Sequence, residues 1–233
     1  MNKYLAKQSF VDNRLGKAKR GDPFTLTDAC ARPYLLADLI EKTNILIEPC
    51  YEIVCIASGP SLTNDDAELV RKWRDEKPLE RQVIVTNTTY QLCPWADIVY
   101  AMDRAWWDRY IDDVKKNFQG KMFTLAKKCH DVEVAQIETY QNSGAGALAL
   151  AAKIGAKKLI MLGYDCKYVD GKKHWHGDHP KGLGNAGSVK KWPAQFDHIA
   201  VKYAKLNIVN CTRSTALKCF PLLSLEQALN ECD

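Results

Sequence analysis

Short apolar runs alternate along this chain with stretches in which apolar residues recur at helical spacing. Residues 51–57 (YEIVCIA) form a continuous apolar run that breaks at Ser58-Gly59-Pro60, and a polar stretch with helical spacing follows from about 65 to 74. Runs at 82–87 (QVIVTN) and 97–102 (DIVYAM) repeat the strand pattern. The second leads into an aromatic helix carrying Trp106, Trp107 and Tyr110, with a shorter strand expected at 121–125. Residues 144–154 (GAGALALAAKI) are apolar nearly all round, which predicts a buried helix running through Gly155 into a strand at 157–162 (KKLIML). Farther on, 190–206 reads as an amphipathic helix, 207–210 as a last strand and 225–230 as a short closing helix. This alternation predicts an α/β, Rossmann-like fold: a mostly parallel sheet with helices on both faces.

Residues before about 50 stand outside the alternation. Their helical stretch, 26–43 interrupted at Pro33, predicts an N-terminal helical extension packed on the sheet. The expected organisation is therefore 1–50, a basic arm and helical extension, and 51–233, a single Rossmann-like nucleotide-binding domain. The arm carries Lys3, Lys7, Arg14, Lys17, Lys19 and Arg20 against one acid, Asp12. Such a run suits contact with nucleic acid, and a solvated terminal segment is the simpler reading.

Composition narrows the class. At 233 residues and 46% hydrophobic content the chain can bury a full core. Its 33 Lys and Arg against 28 Asp and Glu give a net charge of +5, which fits a polyanionic ligand without requiring one. The 9 cysteines are odd in number and scattered, with no C-x-x-C pair, so zinc ribbons and disulfide frameworks are disfavoured. Reduced, partly buried thiols in a cytoplasmic protein are expected. No signal peptide and no apolar stretch of membrane-spanning length is visible. A homo-oligomer is compatible with all of this.

Candidate chemistry collects at strand ends. The turn Ser58-Gly59-Pro60-Ser61 follows a core strand and opens a helix, a place where free amides suit a phosphate and a glycine lets a ligand approach the backbone. Asn142-Ser143-Gly144 precedes the apolar helix with the same physics, although Gly144 and Gly146 also suit close helix packing. Asn87, Asp103 and Asp165 end three further strands and are candidates for ribose, base or metal contact. Taken singly, each is as well explained by a helix cap or a turn, as are Ser61 and Thr63. Trp106, Trp107, Trp175 and Trp192 could stack on a base or sugar, the two on the aromatic helix being better explained as core.

Three of the five histidines fall in one glycine-rich segment, His174-Trp175-His176-Gly177-Asp178-His179. Imidazole titrates near neutrality and ligates transition metals, so the cluster suggests proton transfer or metal binding.

The order of these motifs resembles the bacterial CMP-sialic-acid-dependent sialyltransferases of glycosyltransferase family 42, and also the related pterin-pyrophosphokinase-like domains of archaea. The resemblance covers roughly residues 53–210. It rests on S-G-P-S-L, the strand ending in Asn87, M-D-R-A-W-W-D-R, N-S-G, G-Y-D and H-W-H-G-D-H-P. Together these motifs are similar to a set of proteins common in tailed phages and prophages, which implies a bacterial host cytoplasm. The resemblance implies that Gly59, Ser61, Asn87, Asn142, Ser143 and Gly144 hold the nucleotide of a CMP- or other NDP-linked sugar donor, with Ser58 and Pro60 as further candidates of the same turn. It also implies that a histidine of the loop deprotonates the acceptor while Lys167 or Tyr168 meets the phosphate. Here Asp178 occupies the base position of that family's loop, and His179 lies one residue later.

Three functions follow as expectations. The leading one is a nucleotide-sugar-dependent glycosyltransferase working by direct displacement on a sugar or modified-base acceptor, with His179 or His176 as general base and no obligatory metal. The second is metal-dependent diphosphate chemistry, with Mg²⁺ on Asp103 and Asp165, or in a softer form Zn²⁺ or Mn²⁺ on His174, His176, Asp178 and His179. The third is a non-catalytic phage protein that binds a nucleotide, or a nucleic acid through the basic arm.

Overall fold

Every apolar run read as a buried strand between 51 and 210 is a strand in the computed structural model, which describes residues 2–18, 20, 23–42, 51–78 and 80–230. The chain divides into two units, Met1–Pro49 and Cys50–Asp233.

In the first unit the expected helical extension is replaced by a small β structure. Strands β1 (Asn2–Ala6), β4 (Pro23–Leu26) and β5 (Ile40–Lys42) form an antiparallel sheet in the order β4-β1-β5. Between β1 and β4, β2 (Phe10–Asp12) and β3 (Gly16–Ala18) make a hairpin. Its turn is held by Asp12, whose Oδ1 accepts the amides of Arg14 and Leu15 and the Tyr34 hydroxyl. The basic run is thus folded rather than an arm, although Lys19 lies outside the described residues. Among the described residues of this unit one helix remains, α1 (Asp28–Leu36), shorter than the expected 26–43 and with Pro33 inside it. Tyr4, Ala6, Ala18, Phe24, Ala31 and Ile40 form a core of their own. Alternating polar and apolar residues in short runs carried this strand signal, and the longer periodic stretch at 26–43 masked it.

The second unit contains β6 (Tyr51–Ile56), α2 (Asn64–Glu76), β7 (Arg81–Thr86), β8 (Ile98–Tyr100), α3 (Arg104–Asn117), β9 (Lys121–Thr124) and β10 (Glu133–Val134). It continues with α4 (Ser143–Ile154), β11 (Ala156–Leu162), α5 (Trp192–Lys202), β12 (Asn207–Asn210) and α6 (Leu225–Asn230). Seven strands lie in the order β10-β9-β8-β7-β6-β11-β12, every pairing parallel. The fold is therefore a Rossmann-like α/β sheet with interleaved helices.

Period-2 alternation splits each continuous apolar strand between two cores. Val54, Ile56, Val83 and Val85 pack with Val70 and Trp73 of α2, with Trp106, Trp107 and Ile111 of α3 and with Leu225 of α6. Ile53, Cys55 and Ile84 face the other way, onto Ala147, Leu148 and Ala151 of α4 and Phe196 and Ile199 of α5. Trp106 and Trp107 are core, as expected. The strand read at 97–102 is shorter, and the helix read at 190–206 opens with a 3-10 turn and ends at Lys202. The two-residue β10 carries too little pattern to be read from sequence. No helix among the described residues is long and apolar enough to cross a membrane.

Two caps position the helices that matter for the site. Thr63 caps α2 in a capping box with Asp66, and Asp66 also takes Arg213 at 2.6 and 2.5 Å. Asn142 caps α4, which ends on Gly155 in the left-handed region.

Candidate functional site

Strand order reverses between β6 and β11, so the turns leaving their carboxyl ends flank a crevice, the usual ligand position in such sheets. A cavity of about 270 Å³ occupies it. Ser58, Gly59 and Pro60 line it after β6, Asn87 after β7, and Asp103 after β8. Asn142, Ser143 and Gly144 face it from the start of α4, Asp165 and Lys167 from the end of β11, and His174 and His179 from the long loop beyond. Ser61, Tyr168, His176 and Asp178 do not line it.

The α4 start is a built polar frame. Asn142 Oδ1 accepts the Ala145 amide at 2.8 Å, and its Nδ2 donates to Gln195 Oε1 at 2.8 Å. The amides of Ser143 and Gly144, first in the helix, have no acceptor within it and carry the positive end of its dipole. Ser143 Oγ donates to Asn87 Oδ1 at 3.1 Å and accepts the Met102 amide at 3.3 Å. Asn87 has φ +47°, a left-handed conformation that asparagine tolerates better than most residues. Gly146 serves packing, as the alternative reading had it: a Cβ there would meet Tyr100 Oη at 2.3 Å.

Gly59 lines the cavity and also serves the packing of two strand ends. Its amide donates to the Gly163 carbonyl at 2.8 Å, and a Cβ on it would stand 1.9 Å from Asp165 Oδ2. The glycine lets the ends of β6 and β11 approach each other. Asp165 is 1% exposed; its Oδ1 accepts the Ser61 amide at 3.0 Å, and its Oδ2 is buried with no hydrogen-bond partner. Burial raises the Asp165 carboxyl above the usual range, with Ser61 opposing. Asp103 stands at the N-cap position of α3 without a side-chain cap bond, leaving its carboxylate exposed beside the cavity.

The histidine loop is tied down at two points. The Trp175 amide donates to the Ser58 carbonyl at 3.1 Å and its indole to Thr89 Oγ1 at 3.3 Å. Asn185 brackets His179, accepting its amide at 2.5 Å and donating to its carbonyl at 3.0 Å. Between these anchors the three rings converge. Centroids of His174 and His176 are 5.2 Å apart and stacked at 3°, and His179 lies 4.9 and 4.8 Å from them. One ring nitrogen from each lies within 4.8 Å of the others. His174 Nε2, His176 Nε2 and His179 Nδ1 are buried without a hydrogen-bond partner. Burial, with mutual repulsion of the rings, pushes His174 and His176 down to about 4, and burial lowers His179 as well.

The remaining candidates stand apart. Asp178 is exposed and paired with Lys173 at 2.8 Å, which lowers its carboxyl. Tyr168 is 45% exposed, its hydroxyl donating to the Ala186 carbonyl. Among the described residues the histidines are the one group of three or more His, Cys, Asp or Glu that converges as metal ligands would; Asp103 and Asp165 belong to none. Trp192 does line the cavity, and so do Gln141, Lys173, Ser188 and Phe196, which no sequence pattern marked.

No protein-family model matches the chain, and no curated protein matches it.

Proposed function

We propose that this protein is a nucleotide-dependent transferase whose donor binds in the cavity, a nucleotide-linked sugar being the donor class that the motif resemblance implies. One observation carries the reading. The free amides of the α4 start, the Ser58-Gly59-Pro60 turn and the exposed cation Lys167 all open on a single cavity at the strand-order reversal. A phosphate fits that combination, and Trp192 offers an aromatic face in the same cavity.

In the reaction so read, the acceptor hydroxyl oxygen forms a bond to the donor's anomeric carbon as the bond from that carbon to the phosphate oxygen breaks. The nucleotide leaves with the extra negative charge, which the α4 amides and Lys167 stabilise. The acceptor proton passes to the histidine face of the cavity. Asp178 is engaged by Lys173 and so orients none of the rings as a lone base.

A thermal-shift screen against CMP, UDP, GDP, ATP and their sugar conjugates tests the reading. One nucleotide class is expected to raise Tm saturably, by the equivalent of about 2.7 kcal/mol at a hundredfold excess over Kd. The shift should shrink in Lys167→Ala, whose exposed position leaves the fold intact. No shift with any nucleotide at millimolar concentration would refute it.

A further inference from the structure

We infer that His174, His176 and His179 form a binding site for one divalent transition-metal ion, of the Zn²⁺ class, set in the wall of the cavity. The rings come from a single loop, yet they face one another rather than solvent, with one nitrogen of each inside a 4.8 Å span. His174 and His179 are each 8% exposed, and the nitrogens His174 Nε2, His176 Nε2 and His179 Nδ1 are buried with nothing to bond. Three buried, unpartnered acceptors or donors in one place are costly, because each forgoes its hydrogen bonds to water. A shared cation supplies all three with a partner at once.

The donor set selects the metal. Neutral imidazoles suit Zn²⁺ and its first-row neighbours, whereas Mg²⁺ and Ca²⁺ require oxygen ligands. Bonds of 2.0–2.1 Å in tetrahedral geometry place ligand nitrogens about 3.4 Å apart. The rings therefore close by at most about 1.4 Å, within reach of a loop carrying Gly177 and Gly182, both at positive φ. Second contacts hold the loop in place: Trp175 on Ser58 and Asn185 on His179 restrict its path on either side of the site.

Three histidines leave one coordination position open, the pattern of reactive rather than purely structural zinc sites. His174 and His179 line the cavity, which puts the site beside it. An oxygen of a cavity-bound phosphate or acceptor is the ligand class that this fourth position would take. That last step rests on the nucleotide reading above; the metal site itself does not.

The test uses the full chain stripped with chelator and dialysed metal-free. Titration with Zn²⁺ against a chromophoric competitor is expected to give one equivalent bound with submicromolar Kd, and Co²⁺ should give the intense visible bands of a four-coordinate nitrogen site. His174→Gln, His176→Gln and His179→Gln should each weaken Zn²⁺ at least a hundredfold, with circular dichroism of the metal-free proteins unchanged. His198→Gln, an exposed histidine outside the cluster, should bind like the wild type. Wild-type affinity equal to that of the His176→Gln protein, or a stoichiometric site that survives in all three variants, would overturn the inference. If a variant misfolds, the Co²⁺ spectrum of the wild type decides alone: an octahedral, weakly absorbing aqua spectrum refutes the site. Nucleotide binding is measured separately on metal-free protein, so loss of the nucleotide reading leaves a zinc result standing, and the reverse.

Discussion

Gly59 and Asp165 meet so closely that the hydrogen on the glycine stands where a Cβ would lie 1.9 Å from the carboxylate Oδ2. The same Cβ would come within 2.4 Å of the Gly163 carbonyl. Neither neighbour is the far end of a flexible chain. Gly59→Ala is therefore expected to destabilise the protein by about 3 kcal/mol or more, as an overpacked site at the junction of β6 and β11, measured by urea unfolding. A change below about 1 kcal/mol would show that the junction relaxes freely.

Asp165 supplies a pH dependence with a definite sign. Its folded-state pKa is raised above 3.8 by burial, so the folded state holds the proton more tightly than the unfolded chain does. The stability associated with this group is fully present below the ordinary carboxylate pKa and is lost as pH rises through the raised folded value. Asp165→Asn keeps an oxygen for the Ser61 amide and removes that ionisation. Its stability relative to wild type should climb as pH increases from about 4 and then level off, checked by unfolding at a series of pH values.

Two glycines at the start of α4 should differ in their tolerance of a side chain. Gly146→Ala drives a Cβ to 2.3 Å from Tyr100 Oη inside the core and should cost about 2–3 kcal/mol. Gly144→Ala meets Tyr164 Cε1 at 3.0 Å, a contact that a small shift relieves, and gains helix propensity worth roughly 1 kcal/mol. Near-neutral stability is expected there, from thermal unfolding of both variants side by side.

Asp66 serves both the capping box of α2 and the bidentate pair with Arg213. Asp66→Ala should cost about 1–2 kcal/mol, since the amide of Thr63 loses its partner. Arg213 is 54% exposed, so Arg213→Ala should cost less than about 1 kcal/mol. A double-mutant cycle giving a coupling near zero would show the pair to be a surface contact only.

Asn142→Ala removes the cap that holds the Ala145 amide and the anchor for Gln195. A loss of about 1 kcal/mol in stability is expected from the cap alone. Nucleotide affinity should fall further than stability does, because the same residue frames the α4 amides; equal wild-type affinity would separate the cap from the ligand frame.

Much of the second unit could be read from the chain. Continuous apolar runs of strand length implied burial on both faces, and the turn residues after them marked the sheet edge where Ser58, Asn87, Asn142 and Asp165 line one cavity. The N-terminal unit could not, because Asn2–Ala6, Phe10–Asp12 and Gly16–Ala18 are too short for their alternation to outweigh the helical spacing at 26–43. Asp178 shows the same limit at the site. Its place in the loop matched the base position of the resembling family, and only the Lys173 contact reveals it turned outward as an ion pair.

By itself the sequence determined the parallel α/β architecture and the turns at the sheet edge, because hydrophobic periodicity and glycine punctuation act over neighbours a few residues apart. Tertiary structure alone decided that Asp165 fills the space a Cβ on Gly59 would need, and that three imidazoles turn inward to one point. Those outcomes depend on bonds between distant segments, such as Ser61 to Asp165, 104 positions apart, and Trp175 to Ser58. No local pattern encodes such bonds, since they exist only once β6 and β11 lie side by side.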